Sequence, residues 1–307
     1  MSTTGHIRLA FGGHEKFVFR QGWPKKAVDQ VLNDPLVFSR EEAFVKLGVG
    51  KNMAAAIRYW GLALGLLEDV PTDCGKSRQI QVSRLGRSLL ADGGWDPYLE
   101  DIGSLWLLHW QLTHRQEGRG LLWYLVFCRY LDVEFNKLGL MEFFRKQLLQ
   151  MGVETTEGMV EREVEVFLRT YVPSQKRTSQ TTEESLDCPL VDLNLLRLSP
   201  EEGMYRFDIG AKPSLAVEIF GFGLCHFLSK RAAERRTMSV DECVYTPGSP
   251  GQIFKLDENS VTRYLEDLEE LSRGALRLQE TSGLRQIYLH SNFSAELGWD
   301  WLGGYYG

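Results

Sequence analysis

The segment Lys51 to Leu67, KNMAAAIRYWGLALGLL, carries the pattern that most constrains this chain. At 100° per residue, with Asn52 as zero, Met53, Ile57, Trp60, Leu64 and Leu67 fall between about 60° and 140°, one apolar face. Ala54, Gly61 and Gly65 form a second stripe, small enough to let a neighbouring helix come close. Lys51, Ala55, Arg58 and Leu62 form a third, between about 240° and 300°, with Asn52 and Tyr59 on its flank. The spacing predicts a helix over 51–67 that is packed on two faces and presents cations on the other. Gly48 and Gly50 break the chain just before it.

The elements around this helix follow from local signals. Pro24 opens a helix that KKAVDQVLN continues. Ser39 precedes REEAFVKLG with Glu42 three residues on, the spacing of a capping box. After Leu67, LLEDV and QIQVS read as two strands of a hairpin, with Lys76 and Arg78 near its tip. Helix, helix, turn, long helix and hairpin is the order of a winged helix-turn-helix. Its outer helix face, with Lys51, Asn52, Arg58 and Tyr59, is what a helix in a DNA major groove presents near its N-terminus. Winged helices also dock proteins, and a surface helix with two solvated cations has the same pattern.

Gly50-Lys51 also looks like part of an ATP-binding loop, but G-x-x-x-x-G-K-[ST] is not met. Asn52 replaces the hydroxyl and Val45 the first glycine. A backbone phosphate of DNA at the helix N-terminus is the better reading. Charge agrees with it. Residues 1–90 hold 13 Lys and Arg against 8 Asp and Glu, whereas the whole chain has a net charge of −6. Arg20, Lys25 and Lys26 belong to this basic half.

Farther on, residues 86–150 are helical and aromatic. His109 and His114 are five apart, which suits one core and one surface histidine better than a metal pair. VPSQKRTSQTTEESLDCP reads as a linker. Beyond it, PSLAVEIFGFGLCHFLSK and SVDECVY read as helices, Asp257 or Asn259 opens SVTRYLEDLEELS, and ALRLQ and LRQIYL pair as a hairpin. That order allows a second winged helix. Its outer helix carries Glu258, Glu266, Asp267, Glu269 and Glu270 against one Arg263, so it favours protein over phosphate. The expected fold is mainly α with small β-hairpins: a winged-helix domain over 1–95, a helical domain over 96–170, a linker over 171–186, and a C-terminal α+β domain over 187–307.

Catalytic signals are sparse. FGGHEKFVFRQGWPKK offers His14 and Glu15 as candidates for acid–base work. The more common use of such a pair is a turn cap with an ion pair. His14-Glu15-Lys16 has the H-x-K form of phospholipase D-type phosphodiesterases, but no second copy occurs. Asp208 and Glu218 lack the lysine of a restriction-type nuclease site. Five scattered cysteines without a C-x-x-C pair fit a reducing cytoplasm and argue against a structural zinc site. No apolar run reaches the roughly 18 residues of a membrane span. The expectations are therefore a cytoplasmic protein with no zinc, no nucleotide, no membrane and no resident metal readable from spacing.

GHEKFVFRQGWPKK, LGVGKNMAAAIRYWGLALGLLE, GWDPYLEDIGSLWLLHWQL, DCPLVDLNLL and FKLDENSVTRYLEDLEEL together resemble the SspB family of bacterial DNA phosphorothioation proteins. The resemblance covers most of the chain. It implies an anti-phage protein that binds double-stranded DNA and acts as a nickase. Its partners would be a cysteine desulfurase, an ATPase and an ATP-pyrophosphatase-like enzyme. Nicking implies a divalent cation such as Mg2+ clamping the phosphate. The resemblance carries over Gly50, Lys51, Asn52 and Arg58 as motif positions and no catalytic residue. The alternative is a non-enzymatic adaptor or transcription regulator using the same helix. Either reading leaves a homodimer open.

Overall fold

The structure is a computed structural model and describes residues 11–71, 78–116, 118–174, 187–229, 235–281, 283–290 and 293–307. It is mainly α with small antiparallel sheets, as the sequence predicts. Contacts divide the chain into two units: residues 1–125 with 131–206, and residues 126–130 with 207–307. The division differs from the expected 1–95, 96–170 and 187–307. Residues 187–206 return to the first unit, where the 3-10 turn Pro189–Leu193 packs on two of its helices. Much of the expected linker, 175–186, lies outside the described residues.

The first unit begins with α1 (Gly22–Asn33), α2 (Ala43–Leu47), α3 (Lys51–Ala63), the hairpin β1 (Leu67–Pro71) and β2 (Arg78–Val82), and α4 (Arg84–Leu90). α1 ends before Asp34, whose backbone is extended because Pro35 follows it. The Asp34 carboxylate then accepts from the Leu36 amide and pairs with Lys46 and Arg40. That turn corrects the expected capping box. Ser39 closes a short 3-10 turn, and α2 starts at Ala43 with no side-chain cap. α3 also stops four residues short of the expected Leu67. Gly65 takes φ 68°, a left-handed conformation that glycine accepts cheaply, and the chain turns into β1. Leu64, Leu66 and Leu67 are buried all the same.

The rest of this unit comprises α5 (Ile102–Thr113), most of α6 (Leu121–Arg129), β3 (Glu134–Asn136), α7 (Lys137–Gln150), α8 (Glu157–Tyr171), β4 (Leu196–Leu198) and β5 (Met204–Phe207). The sheet order is β3-β5-β4. α5 is buried along almost its whole length. His109 bonds the Tyr171 hydroxyl at 2.8 Å, as a core histidine should. His114, expected at the surface, is buried, stacked on Trp110 and bonded to its carbonyl.

The second unit holds α9 (Val217–Ser229), β6 (Thr237–Ser239), α10 (Val240–Tyr245), α11 (Pro250–Phe254), α12 (Glu258–Leu271), β7 (Leu276–Thr281), β8 (Leu284–Leu289) and α13 (Ala295–Tyr306). Its sheet order is β6-β8-β7. Ser239 and Glu242 make a full capping box on α10, and Asp257 caps α12 through the Ser260 amide. α13, absent from the sequence reading, packs along α9. A Cβ at Gly221 would stand 2.7 Å from Trp301.

Lys255 sits in the core of the second unit. Its Nζ donates to the Phe127 carbonyl at 2.7 Å and lies over the Phe207 ring at 4.3 Å. Burial pushes its ammonium down to about 8 from 10.5. Between those values the unfolded chain holds the proton more tightly than the folded one. Stability should therefore rise with pH over that window, by about 1–3 kcal/mol. The rise is expected in urea titrations of the native protein at pH 7.5 and 10, and its absence from Lys255→Met would assign it.

Candidate functional site

The outward face of α3 opens the site. Lys51, Asn52, Ala55 and Arg58 are exposed in one stripe, whereas Leu62 at its far end is buried. No side chain caps the first turn of α3, so its leading amides remain available to an anion. Lys51, Ala55 and Arg58 line a groove of about 310 Å³. Its other walls include Glu15, Arg40, Glu41 and Arg119.

Contacts from three elements shape this groove. Glu163 of α8, 1% exposed, accepts from the Gly12 amide at 2.6 Å and pairs with His14 Nε2 at 3.0 Å. His14 Nδ1 accepts from the Lys16 amide, which leaves the ring proton on Nε2, facing the carboxylate. Gly13 lies against Tyr59, and an added Cβ would stand 2.8 Å from that ring. The Trp60 indole donates to the Phe17 carbonyl at 2.9 Å. These contacts hold the loop across α3 and bring Glu15 to the groove.

Arg119 enters from the 3-10 turn Gly118–Gly120. The Tyr59 hydroxyl donates to the Arg119 carbonyl at 2.7 Å. Burial, and the neighbouring charge of Glu163, push that hydroxyl well above the usual tyrosine range. The Arg119 guanidinium is weakened in the opposite sense: burial and the adjacent Arg58 cation both push its pKa down.

Of the residues expected from sequence, Lys51, Asn52 and Arg58 share the exposed stripe, and Glu15 lines the same groove. His14 and Tyr59 are corrected. His14 is fully buried with both ring nitrogens engaged, so it is closed to a substrate. Tyr59 is buried at 3% and faces the loop rather than solvent. Three further cations are committed internally. Arg20 stacks on Trp23 with its guanidinium 5.0 Å from the ring. Lys25 pairs with Asp29 and Asp92, and Lys26 donates to the Leu47 carbonyl at the end of α2. Lys76 lies outside the described residues, as does the side chain of Arg78. Asp208 is paired with Lys212 at 2.9 Å.

Sequence reasoning missed Arg119 and Glu41. The only signal for Arg119 was its place between two glycines ahead of an apolar helix. Among the described residues no group of three or more His, Cys, Asp or Glu is placed to hold a metal ion. None of their helices is long and apolar enough to cross a membrane.

The sequence matches, over residues 11–306, the family described as a protein of unknown function (DUF4007). A magnesium ion-bound SspB crystal structure is 30% identical with a TM-score of 0.87, covering 97% of this chain and 88% of that one. The chain belongs to the SspB family. A second SspB crystal structure matches with the same identity and coverage and a TM-score of 0.86. No curated protein matches. The SspB likeness therefore extends through both units, as the distributed sequence motifs imply.

Removing the anchor of the loop should be costly. Glu163→Ala leaves the buried His14 Nε2 and the half-buried Gly12 amide without an acceptor, a loss of about 2–4 kcal/mol. Glu163→Gln keeps one acceptor oxygen and should lose less. Urea denaturation of both variants measures the difference, and equal losses would show that hydrogen-bond acceptance is not what the carboxylate supplies.

Proposed function

We propose that this protein is the DNA-binding component of a bacterial DNA phosphorothioation system, holding duplex backbone along α3 and nicking one strand. One observation carries the reading. Lys51 and Arg58 lie exposed on a single stripe at the head of an uncapped helix, with small Ala55 between them. Neither has an ion-pair partner among the described residues. A helix that enters a groove needs this arrangement: cations for phosphate, and no bulk between them.

Element order supports it. α1, α2, α3 and the β1–β2 hairpin follow the order of a winged helix. In the second unit α9, β6, α10, the short α11, α12 and the β7–β8 hairpin follow a similar order. There, Glu258, Glu266, Asp267 and Glu270 are exposed on α12 and would repel phosphate. DNA contact is thus assigned to the first unit, and a protein partner or scaffold role to the second. The partners would be double-stranded DNA and the other enzymes of such a system.

Strand cleavage would use the same groove. Glu15 and Glu41 suit a hard cation that completes its shell with water and phosphate oxygens, the usual habit of Mg2+. A bound divalent cation there would supply charge for the phosphorane-like transition state. Lys51 and Arg58 would hold the phosphodiester while a water oxygen attacks phosphorus in line and the sugar oxygen departs. One observation favours a non-enzymatic adaptor instead: His14 is closed, and no other histidine lines the groove.

Two measurements test these readings. Lys51→Ala and Arg58→Ala should each weaken DNA binding and reduce the slope of log K against log salt by about 0.9. Unchanged slopes in a fluorescence titration would remove α3 from the interface. Supercoiled plasmid should relax with Mg2+ and not with EDTA, and Glu15→Gln with Glu41→Gln should stop relaxation without loss of binding. Intact plasmid under all conditions would select the adaptor.

A further inference from the structure

The arginines of the groove are arranged in a way that the α3 stripe does not explain. Arg119 is half-buried and faces Arg58. Arg115, also half-buried, lies close enough to Arg119 to feel its like charge, which Glu68 opposes. Glu15 and Glu41 share the groove with Arg58 and Arg119, yet neither makes an ion pair with them among the described residues. Burying like charges side by side is unfavourable unless something compensates.

Asp69 attracts the Arg119 guanidinium and offsets part of that repulsion, but no ion pair to Arg119 among the described residues fixes the turn in place. The backbone does so. Gly118 takes φ 81°, and a Cβ on Gly120 would stand 2.3 Å from the Leu112 carbonyl oxygen. The Tyr59 hydroxyl holds the carbonyl of residue 119 itself. The turn is therefore set by steric fit on one side and a half-buried hydrogen bond on the other. It delivers a guanidinium to the groove before any ligand arrives.

We propose that Arg119 and Arg58 form a preorganised clamp for a tetrahedral oxyanion, the non-bridging oxygens of a DNA phosphodiester, with Tyr59 as the positioning residue for Arg119. A planar guanidinium fork matches two phosphate oxygens, and an arriving anion relieves the repulsion between the two cations. Burial of Arg119 strengthens the attraction, because less water screens it. The phosphodiester as the source of the anion rests on the DNA reading above. The oxyanion chemistry of the clamp does not.

The test uses the full-length protein and a short duplex in fluorescence anisotropy across a salt series, with thermal shift in inorganic pyrophosphate as a second arm. Arg119→Ala should weaken DNA binding about tenfold and reduce the salt slope by about 0.9. Arg119→Lys keeps the charge and should keep the slope while losing several-fold in affinity, since an ammonium lacks the fork. Tyr59→Phe should do the same without removing any charge, and melting curves of all three variants establish that they are folded. Pyrophosphate should raise the melting temperature of the native protein and not of Arg119→Ala. If Arg58→Ala weakens DNA binding and the Arg119 and Tyr59 variants do not, the clamp is overturned and the DNA reading stands. Stabilisation by pyrophosphate through Arg119, without any DNA binding, would keep the clamp and overturn the DNA reading. No response to either ligand would overturn both.

Discussion

A buried carboxylate on α8 holds the candidate site together. Glu163 binds His14 and the Gly12 amide, residues about 150 positions earlier in the chain. The loop that it anchors lies across α3, where the His14 ring meets Tyr59 edge-on at 5.4 Å. Tyr59 in turn holds the turn that carries Arg119. A chain of contacts thus runs from α8 through the loop and α3 to the groove. The His14–Glu163 link is buried, so breaking it leaves a polar group without water to replace its partner.

The electrostatics of the first unit show why counting charges does not locate a site. The cations on and around α1, α2 and α3 fall into two groups. Lys25, Lys26, Lys46 and Arg40 are satisfied by nearby carboxylates or carbonyls, and Arg20 lies over aromatic rings. Lys51, Arg58 and Arg119 are not paired among the described residues, and all three line one groove. Exposed ion pairs contribute little to stability, so the first group mainly shapes local turns. Of these cations, the second group faces the groove without a carboxylate partner among the described residues.

The two units invite comparison because α3 and α12 occupy corresponding places in similar element orders. They are capped differently. α12 has Asp257 on its first turn, whereas α3 follows Gly50 with no side-chain acceptor. The capped helix already has a carboxylate at its positive end, and more carboxylates along its exposed face. The uncapped one has Lys51 there instead. A helix N-terminus attracts anions through its free amides and dipole, and a cap satisfies them internally.

Local signals in the sequence determined a good deal. The period of apolar residues identified α3, short runs around turn residues marked both hairpins, and the exposed stripe of α3 was legible from 100° steps alone. Those features depend on neighbours within a few positions, which sequence spacing reports directly. Element ends were less legible. Gly65 stopped α3, and Asp34 with Pro35 displaced the start of α2, because specific turns overrode periodicity. α13 went unseen, with Gly298, Gly303 and Gly304 in a helix that packs along α9. The tertiary structure alone decided that His14 is a buried anchor, that Tyr59 turns inward, and that Arg119 joins Arg58. Those roles come from contacts 149 and 60 residues apart along the chain for His14 and Tyr59. Periodicity carries no record of such pairings, since it describes which way a side chain points and not what waits there.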